Sequence, residues 1–131
     1  MKSVPRIGTT GETSFTVEAQ HTIEFAGDGM PPVLSTPNLI GILERTARQS
    51  LLPHLEENER SVGIEVELRH LAPTPVGSKV TCTARVIRAD GREISFQVEA
   101  RDEREMIARG SHKRRIIRVE SFAKRLGEKR G

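Results

Sequence analysis

At 131 residues the chain has the length of one ordinary domain, with room for a real core but not for a second one. It holds no Trp or Tyr and only four Phe, too few aromatic faces for a platform that stacks single-stranded bases. The net charge of +3 is uneven: residues 1–60 carry 5 basic and 8 acidic groups, residues 61–131 carry 16 and 10.

The lone cysteine, Cys82, cannot form an internal disulfide, and a reducing compartment follows. No apolar run approaches a membrane span, and the polar residues 1–8 do not read as a signal peptide, so a soluble, cytoplasmic protein with no membrane partner is expected. Residues 109–118 hold five basic groups and no acid. Such a patch suits an anionic partner, or an edge strand guarded by charge.

Residues 13–25 alternate, with Phe15, Val17, Ala19, His21, Ile23 and Phe25 on one parity, which predicts a single half-buried strand. Residues 26–35 contain two Gly and two Pro and predict a loop. A helix is expected from Thr36, with Thr36 as N-cap and Pro37 at the first helical position. Leu39, Leu43, Ala47, Ser50 and Leu51 share one face with Thr46 beside them, and Glu44 borders that face. Gly41 weakens the helix intrinsically, and a close backbone approach would account for it. Pro53 ends the helix or kinks its last turn.

Three or four strands follow. Val62, Ile64, Val66, Leu68 and His70 are expected to share an inward face, with Glu65, Glu67 and Arg69 opposite. Residues 72–77 read as a turn or bulge. Val80, Cys82, Ala84 and Val86 alternate up to Asp90-Gly91, a two-residue hairpin signal, and Ile94, Phe96, Val98 and Ala100 answer on the return strand. Residues 102–105 turn the chain, residues 106–119 form the last long strand, and residues 121–131 form a basic helix or tail. One long helix against an antiparallel meander makes an α+β fold in which the sheet curves around the helix. One helix cannot cover both sheet faces, so a homodimer or higher homo-oligomer is expected.

Three polar residues stand out. Thr36 has an ordinary reading as a cap and a functional one at a helix start, whose free N–H groups and partial positive charge suit a developing oxyanion. Glu44 can bond Arg48 one turn on, or serve a site. His70 lies on an inward parity, where it is either a buried histidine bonded to backbone or Thr, or a proton acceptor. His112 reads as sheet packing or a ligand contact and His54 as exposed. The histidines lack metal-ligand spacing, so no metal site and no resident cofactor are expected.

Strand, loop, helix and meander is also the order of the hotdog fold. Residues 33–44 (VLSTPNLIGILE), 61–77 (SVGIEVELRHLAPTPVG) and 108–117 (ARGSHKRRII) resemble the fluoroacetyl-CoA thioesterase-like family of hotdog acyl-CoA thioesterases. The resemblance covers most of the chain and is weakest before residue 30. It implies Thr36, Glu44 and His70 as the catalytic group, Gly63 as a glycine lining the site, and an acyl-CoA thioester as substrate. Lys113, Arg114 and Arg118 are candidates for the CoA phosphates on surface side chains. The fluoroacetyl-selective members carry aromatic residues ahead of the catalytic Thr. Here Gly27, Asp28, Gly29, Met30 and two prolines stand there, so the resemblance implies acyl-CoA hydrolysis without C–F recognition.

Thr36 and Glu44 are eight residues apart, about 12 Å along a straight helix. They meet only if the helix starts later or if two protomers pool the site, and pooling makes dimerisation a condition of activity. The alternatives are a non-catalytic acyl-CoA binding or sensing protein, a hotdog dehydratase or isomerase, and nucleic-acid binding through residues 109–118. No reading motif supports the last, and no nucleic-acid partner is expected.

Overall fold

The structure is a computed structural model and describes residues 1–23 and 29–131. Its long helix α1 (Thr36–Leu51) forms where the apolar positions recur at helical spacing. It buries Leu39, Leu43, Thr46, Ala47 and Leu51. Each large aliphatic side chain buried there contributes about 1.5–3 kcal/mol. A 3-10 turn at Leu52–His54 ends it, with Pro53 inside that turn as the sequence predicts.

Around α1 run β1 (Thr10–Thr16), β2 (Thr22–Ile23), β3 (Val33–Leu34), β4 (Glu59–His70), β5 (Lys79–Asp90), β6 (Glu93–Arg101) and β7 (Met106–Arg118), followed by α2 (Val119–Arg130). The main sheet is antiparallel in the order β1-β5-β6-β7-β4, and β2 pairs with β3, whose Val33 also bridges Pro75. The inward alternation of β5 and β6 is as expected: Val80, Cys82, Ala84, Val86, Ile94, Phe96, Val98 and Ala100 are all buried. With α1 against one face of this sheet, the architecture is the α+β hotdog arrangement. No helix among the described residues is long and apolar enough to cross a membrane.

Five local expectations are corrected. The single strand over residues 13–25 is broken after Thr16. The Val17 N–H donates to the Ser78 carbonyl and the Gly77 N–H to the Val17 carbonyl, turning the chain into a 3-10 turn at Ala19–His21 capped by Glu18. Within that turn the His21 ring accepts the Glu18 N–H and packs edge-on against Phe15. Phe25 lies outside the described residues, as do Gly27 and Asp28 of the loop. The hairpin turn is Gly91-Arg92, because Asp90 still pairs with Glu93. Gly41 meets no atom within 4 Å. Close approach falls on strand glycines instead: a β-carbon at Gly11 would lie 2.8 Å from Ser50 Cβ of α1, and one at Gly110 would collide with the Glu67 carbonyl across the β4–β7 pair. His54 is half-buried and bonds Ser3.

The fifth correction bears on the site. A bulge between Gly63 and Glu65 breaks the parity of β4. Glu59 and Ser61 are buried before it, opposite Arg118 and Ile116, so Val62 faces away from them. Val66, Leu68 and His70 point inward after it, opposite His112, Gly110 and Ala108. β4 is an outer strand of the sheet, and Ile64 and Val66 remain 40% and 37% exposed on it.

Candidate active site

Thr36 is not the helix cap. Ser35 takes that role, its hydroxyl accepting the Asn38 N–H at 3.3 Å and the Asn38 side-chain amide at 2.6 Å, with Pro37 inside the first turn. The Thr36 hydroxyl is thereby released, and it hydrogen-bonds His70 Nδ1 at 2.8 Å. Two supports hold this pair. The Ser35 N–H donates to the His21 carbonyl at 2.9 Å, fixing the entry to α1. The Leu71 N–H donates to the Ile107 carbonyl at 2.7 Å, fixing the end of β4.

His70 is half-buried, and its Nε2 is buried without a hydrogen-bond partner among the described residues. Burial pushes the His70 pKa below the usual 6.5, with the Ala72 backbone acting in the opposite direction. The ring is therefore neutral near pH 7 and able to accept a proton.

Glu44 belongs to a second cluster. The sequence offers Arg48 one turn along as its partner, but its carboxylate reaches from α1 to Arg114 on β7, Oε2 to Nη1 at 3.8 Å. Gly63 makes room for it: a β-carbon at Gly63 would lie 2.5 Å from Glu44 Oε2. Arg114 is corrected from a surface side chain to a buried one, 5% exposed. Its Nε donates to the Ser61 hydroxyl at 2.9 Å, its Nη2 to the Ser61 carbonyl at 2.8 Å, and its Nη1 to His112 Nε2 at 3.1 Å.

The last contact fixes the tautomer of His112. Nε2 accepts from the guanidinium, so Nδ1 carries the proton and donates to the Glu65 carbonyl at 2.9 Å. Burial lowers the His112 pKa, and the ring stacks on Phe96. Of the other expected phosphate ligands, Lys113 is half-buried on the opposite parity of β7, and Arg118 is exposed at the start of α2.

Within one protomer the structure therefore brings Thr36 to His70 and Glu44 to Gly63, as two separate groups. Ser61 and His112 were not foreseen as the setting of Glu44. The signal was their alternation with Arg114 on paired strands, masked by the bulge. No cluster of three or more His, Cys, Asp or Glu able to hold a metal occurs among the described residues.

Residues 17–120 match the fluoroacetyl-CoA-specific thioesterase (FlK) family. The chain is 32% identical over 137 residues to a fluoroacetyl-CoA thioesterase of Streptantibioticus cattleyicolor, covering 98% of this chain and 97% of that one. It superposes on a variant of the thioesterase FlK solved in complex with acetyl-CoA, with a TM-score of 0.86, 29% identity, and 95% and 98% of the two chains covered. It also superposes on a hot-dog-like protein of Thermanaerovibrio acidaminovorans, with a TM-score of 0.88, 26% identity, and 95% and 93% covered. A helix start that frees a threonine for a neutral histidine, in a chain matched from end to end by such relatives, places this protein in the fluoroacetyl-CoA-specific thioesterase family of hotdog-fold hydrolases.

Proposed function

We propose that the protein hydrolyses short or medium acyl-CoA thioesters to the free acid and CoA, at a site pooled between two protomers of a homodimer. The observation that carries this reading is the Thr36–His70 hydrogen bond at 2.8 Å, made by a hydroxyl that capping does not need. In the pooled site Thr36 and His70 come from one protomer and Glu44 with Gly63 from its partner. The exposed apolar residues of the outer strand β4 supply surface for such pairing.

His70 accepts a proton from an attacking water or from the Thr36 hydroxyl, a step worth on the order of 10²–10⁴ in rate. At the start of α1 the Asn38 and Leu39 N–H groups are bonded to Ser35 and Pro37 has none. The Thr36 N–H, with that of Gly63, is then the donor for the thioester oxygen as negative charge develops on it. Glu44 orients the water or the base. The attacking oxygen bonds to the carbonyl carbon and the C–S bond breaks. The thiolate leaves without needing a strong acid, and His70 returns the proton to it. Where Thr36 attacks, a water deprotonated by His70 then cleaves the acyl-Thr36 ester to the free acid. A reducing cytoplasm suits Cys82, a free buried thiol that burial pushes up to about 12. The acetyl-CoA complex of the related FlK supports an acyl-CoA as substrate.

The test combines two inactive proteins. His70→Ala and Glu44→Ala should each abolish CoA release followed with a thiol reagent. Mixed in equal amounts and allowed to exchange subunits, they should recover about a quarter of wild-type activity, because half the dimers are mixed and one of their two sites is intact. No recovery in proven mixed dimers would exclude pooling. Binding of acyl-CoA with no release by wild type would exclude hydrolysis.

A further inference from the structure

Beside Glu44 lies a cavity of about 210 Å³ lined by Gly41, Glu44, Arg45, Arg48 and Arg114. Three guanidinium groups face one carboxylate there, which leaves the cavity with an excess of positive charge. The guanidinium of Arg114 is held rigidly by Ser61 and His112, which occupy three of its five N–H bonds. Glu44 stands 3.8 Å from Nη1, too far to use up the remainder as hydrogen bonds. Arg45 and Arg48 sit on the open side of α1, exposed, and form no ion pair among the described residues.

A fixed buried cation with N–H bonds to spare, flanked by two exposed ones, is a receptor for a carboxylate or a phosphate. The position decides between them. The cavity adjoins Glu44, at the reacting end of the proposed site, whereas the pantetheine arm of CoA holds its phosphates far from the sulfur. An anion in this cavity must then belong to the acyl group. The absence of a side chain at Gly41 keeps the floor open, and a cavity of this size admits a chain of a few carbons.

We propose that Arg45, Arg48 and Arg114 form a subsite for the distal carboxylate of a dicarboxylic acyl-CoA, such as a malonyl or succinyl thioester. This inference rests on the hydrolytic reading and specifies its substrate class. Glu44 does not oppose it, since its one carboxylate is turned to Gly63 and Arg114 Nη1 and is outnumbered by the three guanidinium groups of the cavity.

The experiment compares kcat/KM for malonyl- and succinyl-CoA with acetyl- and butyryl-CoA, in wild type and in an Arg45→Gln/Arg48→Gln double variant. Both arginines are exposed and outside the Thr36–His70 and Glu44–Gly63 groups, so the variant should fold and retain hydrolysis of the neutral substrates. Wild type should favour the dicarboxylic thioesters, and the variant should lose about tenfold or more of that preference. Equal rates on both substrate classes, or a preference unchanged in the variant, would overturn the subsite. A variant that instead weakens inhibition by free CoA, with the acyl preference intact, would assign the arginines to phosphate and also overturn it. Binding of free succinate against butyrate, measured calorimetrically on both proteins, tests the subsite independently of turnover. Succinate should bind wild type more tightly than the variant, and butyrate should not distinguish the two. Absence of hydrolysis with selective succinate binding would fail the activity and keep the subsite.

Discussion

Replacing Gly63 by alanine separates the proposed chemistry from the fold. The added β-carbon would lie 2.5 Å from Glu44 Oε2, 3.1 Å from His112 Cε1 and 3.4 Å from Arg114 Nη1. Ordinary contacts between heavy atoms lie near 3.5 Å, so the Glu44 carboxylate must retreat by about 1 Å while the other two neighbours barely move. Glu44 is the flexible member of the three, 38% exposed, and can swing outward. The stability cost should therefore stay at the low end for overpacking, about 1 kcal/mol. Catalysis is less forgiving: a displacement of about 1 Å in a positioned group costs on the order of 10²-fold, or about 2.7 kcal/mol of transition-state stabilisation. Thiol release from acetyl-CoA, measured beside thermal unfolding of the same preparation, reads both quantities. A Gly63→Ala protein with wild-type kcat/KM would refute the placement of Glu44 in the reaction. A loss of several kcal/mol in stability would equally refute the reasoning, since it would mean the strain passes into His112 and Arg114.

The neighbouring residues Ser35 and Thr36 should part company. Ser35→Ala removes the α1 cap and should lower stability by about 1 kcal/mol with hydrolysis nearly unchanged. Thr36→Ala leaves His70 Nδ1 without its partner, so it should cost about 1 kcal/mol as well, but it should also reduce kcat/KM by about 10²-fold or more, and the turnover assay separates the two. In the pH profile, the lowered pKa of His70 places the acid limb of kcat/KM below pH 6.5. The same burial sets the sign for stability. The unfolded chain protonates both histidines as pH falls through 6.5, whereas folded His70 and His112 resist until their lowered values are reached. The unfolded state binds more protons in that window, so unfolding free energy should fall as the pH drops below 6.5. A midpoint that rises between pH 7 and 5.5 would contradict this, and His112→Gln should flatten the decline.

Much of this arrangement is legible in the residues. The apolar positions of α1, the alternation of β5 and β6 and the inward parity of His70 all follow from periods of 3.6 and 2. The failures have physical causes. Val17, Ala19, His21 and Ile23 keep a period of two across a 3-10 turn, so the break after Thr16 leaves no trace in the pattern. Ser35 and Thr36 are adjacent residues that can both cap, Ser the better of the two, before a proline that the first helical turn tolerates. The bulge at Gly63 adds one residue to β4, and no apolar alternation marks it because Glu59 and Ser61 face inward. Arg114 reads as surface because it belongs to a basic run, yet its partners Ser61 and His112 are polar inward residues that only the register of β4 on β7 brings to it.

A buried side-chain atom without a hydrogen-bond partner among the described residues lies where the chemistry is proposed. Buried polar atoms in folded proteins are nearly all hydrogen-bonded, and leaving one without a partner costs about 1–3 kcal/mol. His70 Nε2 is such an atom among the described residues, while the other ring nitrogen is held by Thr36. A histidine serving only to join α1 to the end of β4 would gain nothing by leaving that nitrogen bare, and a leucine or glutamine would fill the same volume at less cost. The contrast with His112 is direct: equally inward on the neighbouring strand, it has both nitrogens bonded, one to Glu65 and one to Arg114. His112 is thus satisfied within the protomer at both nitrogens, whereas His70 is held by Thr36 at Nδ1 and has no partner at Nε2 among the described residues. Under the proposed function, that nitrogen is left for the substrate or the attacking water at the shared interface.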